Sequence, residues 1–163
     1  MVFFLKLDNL KAVSTNSLYK GMGKRRRKTV AYKYLEQVVK LEILKNQKAA
    51  KEFLSSFNGK KDCIRVKVYS ELSNLIIRKS KDKDRVGHIS MTSLDVDNSF
   101  KALIDSVFKQ IGINDAEICA IEGYKFQSNH KSNNIFIELE NINRDILWNH
   151  LKAHLRESIQ IKQ

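Results

Sequence analysis

Phe100, Leu103, Ile104, Val107, Phe108 and Ile111 recur at i, i+3, i+4, i+7, i+8 and i+11. That spacing draws one continuous apolar stripe along an α-helix, and such a stripe must be buried against another layer. Asp97 or Asn98 is placed to cap the helix and Gly112 to stop it. The partner layer is written on either side. Residues 62–70 (DCIRVKVYS) alternate Ile64, Val66 and Val68 against Cys63, Arg65, Lys67 and Tyr69, the period of a half-buried strand. Residues 117–128 and 134–140 read as two further strands joined by a hairpin loop, with Ile135, Ile137 and Leu139 on one face. Residues 1–8 read as a first strand and residues 9–28 as a loop. From Thr29 the pattern is helical through Tyr34, Leu35, Val38, Leu41, Ala49, Phe53 and Phe57, as one helix or as two that break near Asn46. Asn58-Gly59 stops it. Residues 75–77 form a short strand, 89–94 an extended segment, and 143–157 a C-terminal helix with Ile146, Leu147, Leu151 and Leu155 on one face. The expected fold is α+β: a small mixed or antiparallel sheet with helices packed on it, plus the extra C-terminal helix.

The 163 residues fit a single domain, 1–163, since no proline, low-complexity linker or internal repeat divides them. No apolar run is long enough to span a bilayer, and MVFFLKLDNL is too short and too charged for a secretory signal. A cytoplasmic protein without membrane partners is the expectation. Cys63 and Cys119 lie in strand-like apolar runs without a CxxC pair, so both are expected to be core thiols. The formal charge is +12, the mark of a polyanion binder. Half of it sits in KGMGKRRRK, where Lys20, Lys24, Arg25, Arg26, Arg27 and Lys28 form a basic run.

Against that charge, Asp95, Asp97, Asp105 and Asp115 crowd around the striped helix. Asp97, Lys101 and Asp105 share one border of the stripe at i, i+4 and i+8. Two readings are open. In the first, Asp97 caps the helix, Lys101–Asp105 is an ordinary ion pair and Asp115 holds a turn. In the second, the carboxylates hold a hard cation such as magnesium, which takes oxygen ligands and retains several waters. A nearby lysine would then offset charge on a phosphate. The helix is roughly 20 Å long, so Asp115 joins Asp95 only if the chain folds back.

The stretch DVDNSFKALIDSVFKQIGINDA resembles the signature of the RusA-type Holliday-junction resolvases. That signature runs D-x-D-N, a Lys three residues on, an Asp four later, a Gly and D-A. Asp95, Asp97, Asn98, Lys101, Asp105, Gly112, Asp115 and Ala116 fill every position. Ser14, Asn16 and Tyr19 resemble the S-x-N-x-x-Y that precedes the family's basic loop, and the likeness covers roughly residues 1–140. The resemblance implies a homodimer that resolves four-way junction DNA by paired symmetric nicks, with magnesium as cofactor and manganese as a substitute. It implies Asp95, Asp97 and Asp115 as catalytic, metal-holding acids and Lys101 as the catalytic lysine, with Asn98 and Asp105 in support. Asn16, Tyr19, Lys20, Lys24, Arg25, Arg26, Arg27 and Lys28 would contact DNA. Ala12-Val13 stands where members commonly have a proline, and Ser93-Leu94 where many have a basic residue. Residues 75–90 look inserted and 142–163 look like an added helix.

Two other functions compete: a basic nucleic-acid-binding protein without catalysis, and a nuclease of the same fold that acts on other branched DNA. His150 and His154 share a helix face, but no acid follows His150, so the HExxH zinc pattern is absent. Trp148 reads as a packing residue of the tail helix.

Overall fold

The computed structural model describes residues 1–10, 19–20, 27–72, 77–79, 89–91, 96–128 and 133–160. Four strands make the main sheet: β1 (Val2–Asp8), β4 (Asp62–Leu72), β7 (Ile118–Gln127) and β8 (Asn134–Asn143), in the order β1-β8-β4-β7. β8 runs antiparallel to both β1 and β4, while β4 and β7 run parallel. Two small ladders join β2 (Tyr19–Lys20) to β3 (Arg27–Lys28) and β5 (Ile77–Lys79) to β6 (Ile89–Met91). Helices α1 (Val30–Lys45), α2 (Gln47–Ser56), α3 (Val96–Ile111) and α4 (Arg144–Gln160) complete the mixed α+β architecture. No helix among the described residues is long and apolar enough to cross a membrane.

Alternation along the strands decides which face is covered. Phe3, Leu5 and Leu7 of β1, Ile64, Val66 and Val68 of β4, and Ile135, Ile137 and Leu139 of β8 are buried against the helices. The α3 stripe meets them in full: Phe100, Leu103, Ile104, Val107, Phe108 and Ile111 are all buried. The opposite face is a layer of paired charges and aromatics. Arg65 bonds Glu140 at 2.5 Å, Lys67 bonds Glu138 at 2.9 Å, and Tyr69 stacks on Tyr124 with ring centroids 5.2 Å apart. Lysine and arginine on this face are matched by acids, so it is not the basic surface that the net charge predicts.

Several expectations need correction. β7 and β8 are not a hairpin, because β4 lies between them. β4 offers two edges to two apolar-patterned partners, and the six residues between β7 and β8 reach about 20 Å, enough to pass one strand at about 4.8 Å spacing. α1 and α2 are separate helices with Asn46 between them, whose N–H and side-chain amide bond back to Glu42 O. α1 buries Tyr32, Leu35, Val39 and Ile43, while Tyr34 and Leu41 face solvent. α3 begins at Val96, which puts Asp97 and Asn98 in its first turn instead of at its cap; acid there is still favoured by the helix dipole. Gly112 does end the helix, with φ of 78° and its N–H on Phe108 O at 2.9 Å.

The tail helix stands off the body. Ile146, Trp148 and Leu151 are largely exposed, and Lys152 lies over the Trp148 ring at 5.1 Å. Trp148 is therefore a surface residue, 55% exposed on the helix that follows β8. Cys119 is likewise exposed and Cys63 buried. The β4–β7 register shifts beside Ile64, next to both cysteines. Burial and the neighbouring Cys119 thiol push the Cys63 thiol up to about 12. A thiolate-directed reagent should label one cysteine per folded chain, Cys119, and reach Cys63 only after unfolding. Peptide mapping after labelling checks this, and equal labelling of both would contradict the buried placement.

Candidate active site

α3 and β7 build the site between them. Past Gly112 the chain reverses into a 3₁₀ turn, Asp115–Glu117, and then runs as β7 alongside α3. Asn114 organises the turn, its side chain accepting a 3.0 Å bond from Ala116 N–H. Glu117 is tied to Arg144 at the start of α4, and Arg144 Nε also donates to Asp62 O at 2.6 Å. The turn is thus held by its flanking residues, and the Asp115 carboxylate is not spent on it. That overturns the simplest account of Asp115 as a turn former.

The result is a cleft of about 820 Å³ lined by Phe100, Lys101, Ile104, Asp105, Asp115, Ile118, Ile121 and Gly123. Asp105 and Asp115 both line it. Burial raises the Asp105 pKa, the Lys101 charge lowers it, and the Asp115 carboxylate raises it further. No ion pair joins Lys101 to Asp105 among the described residues, so Lys101 acts on Asp105 through space. The ordinary i,i+4 salt bridge is not made, and both groups stay available to a ligand.

The chain folds back as the metal reading requires, but it brings Asp115 to Asp105. Asp97 lies eight residues up α3, about 12 Å along its axis, and its backbone sits in the helix's first turn. Asp95 falls outside the described residues. Among the described residues no three His, Cys, Asp or Glu side chains gather as a metal site. Asp105 and Asp115 line one cleft and supply oxygen donors, the kind of group a magnesium ion takes while keeping its waters. Glu117 and Arg144, which support the turn, carry no motif in the sequence; only the fold reveals them.

Tyr19 pairs with Lys28 and Lys20 with Arg27, so within the segment read as a loop β2 and β3 form a short antiparallel ladder. It is fastened to the helices by Glu36. Lys28 Nζ reaches Glu36 Oε1 at 2.5 Å, Lys109 Nζ reaches the same oxygen at 3.0 Å, and Lys28 lies 4.8 Å from the Tyr32 ring centroid. Burial works against ionisation of Glu36, but hydrogen bonds and charge from Lys28 and Lys109 hold its pKa below the usual carboxylate value. Lys109 stands one helical turn beyond Asp105, so the ladder and the acid pair share one end of α3. Asn16, Lys24, Arg25 and Arg26 lie outside the described residues; Lys20 and Arg27 are exposed.

A comparison with protein families matches residues 12–140 to Endodeoxyribonuclease RusA. The chain belongs to the RusA family. The match covers the acidic segment, the basic run and all of the main sheet's strands except β1 and the end of β8. The RusA family consists of Holliday-junction endonucleases. A comparison with curated proteins returned no match.

Proposed function

We propose that the protein is a magnesium-dependent, structure-selective endonuclease that resolves Holliday junctions by paired symmetric nicks, working as a homodimer. The observation that carries this reading is the return of Asp115 to the cleft beside Lys101 and Asp105, in a chain of the RusA family. Asp95, Asp97 and Asp115 are the acids assigned to the metal, with manganese as a substitute, and Asp105 is added to them by its place next to Asp115. When bound, the ion polarises the scissile phosphate and lowers the pKa of the attacking water.

The remaining roles belong to the chain itself. Lys101 balances the charge that develops on the phosphate. Asn98, one turn before it, supports the acidic edge. The basic run of Lys20, Lys24, Arg25, Arg26, Arg27 and Lys28 neutralises the DNA backbone, together with Asn16 and Tyr19. Paired nicks across a four-way junction call for two active sites, which is the reason to expect a dimer.

The test is one comparison: a mobile four-way junction incubated with wild type and with Asp97→Asn, in magnesium and in EDTA. Symmetric nicks only from wild type with magnesium are expected. Binding without nicks under any divalent metal would leave a non-catalytic junction binder. A second measurement isolates the basic run. Replacing Arg25, Arg26 and Arg27 by Ala should weaken junction binding and flatten its salt dependence, by a log–log slope of about 0.9 per lost phosphate contact. An unchanged slope would mean that the run does not touch DNA.

A further inference from the structure

Ile121 is out of place. Its register partner Val66 is fully buried, and both side chains face the helical layer. Yet Ile121 is 56% exposed, because β7 is an edge strand and α3 stops short of covering it. The uncovered side chain forms one wall of the cleft. Ile104, Ile118 and Phe100 continue the apolar surface, and Gly123 adds no side chain to fill the space. Among the described residues, the cleft's charged groups stand along the α3 rim and the 3₁₀ turn, as Lys101, Asp105 and Asp115.

Phosphate recognition does not account for such a surface, since a phosphate asks for donors and cations, not isoleucines. A flat apolar face does account for it. The volume falls in the range of small-ligand sites. The rim offers Lys101 to a phosphate while the walls offer apolar contact to what the phosphate carries. We propose that this cleft receives a nucleobase unstacked from the DNA beside the phosphate that is cut, with Ile121 as the wall against which the base lies. The proposal rests on the endonuclease reading and deepens it: the same cleft would hold the backbone at its rim and a base in its depth. Ile121, Ile104 and Ile118 then influence which junctions are cut, through how readily the neighbouring base leaves its stack.

The test places 2-aminopurine at each nucleotide flanking the crossover of a four-way junction, with calcium in place of magnesium so that the DNA stays intact. Fluorescence should rise severalfold at one position when wild type binds, as expected for a base removed from its neighbours. Ile121→Trp, which fills the cleft, should abolish the rise. It should hold junction affinity within about tenfold, because phosphate contacts supply most of the affinity of a protein for DNA and a base that stays in its stack is spared the unstacking cost. It should also flatten the preference among junctions that differ only at that nucleotide. Ile121→Ala serves as the milder variant, with a partial loss of the rise, and circular dichroism melting confirms that both are folded. Wild type that nicks junctions while no position brightens would overturn the base subsite and leave the nuclease reading intact. Undiminished brightening with Ile121→Trp would place the base elsewhere. Loss of a dimer on Ile121→Trp, seen by sedimentation, would assign the cleft to a second copy of the chain. Wild type that nicks no branched DNA would remove the nuclease reading and this inference with it.

Discussion

Asp115→Asn should reduce junction nicking by about three orders of magnitude while leaving junction binding nearly unchanged. The size follows from the several kcal/mol that a metal's charge contributes to phosphodiester cleavage, at about 1.4 kcal/mol per tenfold in rate. The separation of cutting from binding follows from where Asp115 sits. Its 3₁₀ turn is held by Asn114, by Glu117 with Arg144, and by the reversal at Gly112, none of which needs the Asp115 carboxylate. Asparagine keeps the shape and removes the charge, so a folded, DNA-binding protein without cutting is the expected product. Removing a negative charge from a DNA-facing cleft should, if anything, tighten binding slightly. Labelled junctions in a gel-based nicking assay, paired with a mobility shift in calcium, measure both. Retention of a tenth or more of the activity would take Asp115 out of the machinery.

Phe108→Ala should cost about 3–5 kcal/mol of stability. Phe108 is 1% exposed, near the middle of the layer that α3 shares with α1 and the sheet. Ring removal leaves a cavity that the rest of the buried cluster, with Ile104 and Ile111 one turn away on the helix, cannot close without moving it. Lys101 and Asp105 ride on the polar edge of that same helix, so any shift also displaces the site. Urea unfolding should show a lower midpoint at an unchanged slope, with activity falling more than the folded fraction explains. A loss under about 1 kcal/mol would mean that α3 is packed more loosely than its buried stripe implies. The comparison matters because the two substitutions are opposites: one empties the site without touching the fold, and the other reaches the site through the fold.

The α3 stripe and the alternation of β4 and β8 were legible because they are local periods that burial enforces directly. Gly112 was legible for a similar reason, since a positive φ favours a residue without a side chain. What could not be read was which strand lies beside which. β7 and β8 are adjacent in sequence and patterned for pairing, yet each pairs with β4, and periodicity carries no information about neighbours. The same blindness affected single residues. Cys119 sits in an apolar run and Ile121 on an inward face, and both are exposed because β7 is an edge. Helical spacing offered Asp105 an ion pair with Lys101, and the family resemblance gave it only a supporting place beside Asp97. The fold instead lines one cleft with Asp105 and Asp115, brought there by a chain reversal that no spacing rule encodes. The exposed apolar face of α4 escaped for a related reason: an amphipathic pattern says that a face wants cover, not that the chain supplies it.

The position of β8 has a bearing on how such a chain is made. It is the last strand of the main sheet to leave the ribosome, and it belongs between β1, the first, and β4. Until it emerges, β1 has no neighbour and β4 can pair only with β7. Contacts so distant in sequence form slowly, and they close only when nearly the whole chain is present. A nascent or truncated chain therefore lacks the sheet on which α3 rests. For a protein whose task is to cut DNA, synthesis itself delays activity: the blade is assembled around the last strand to arrive.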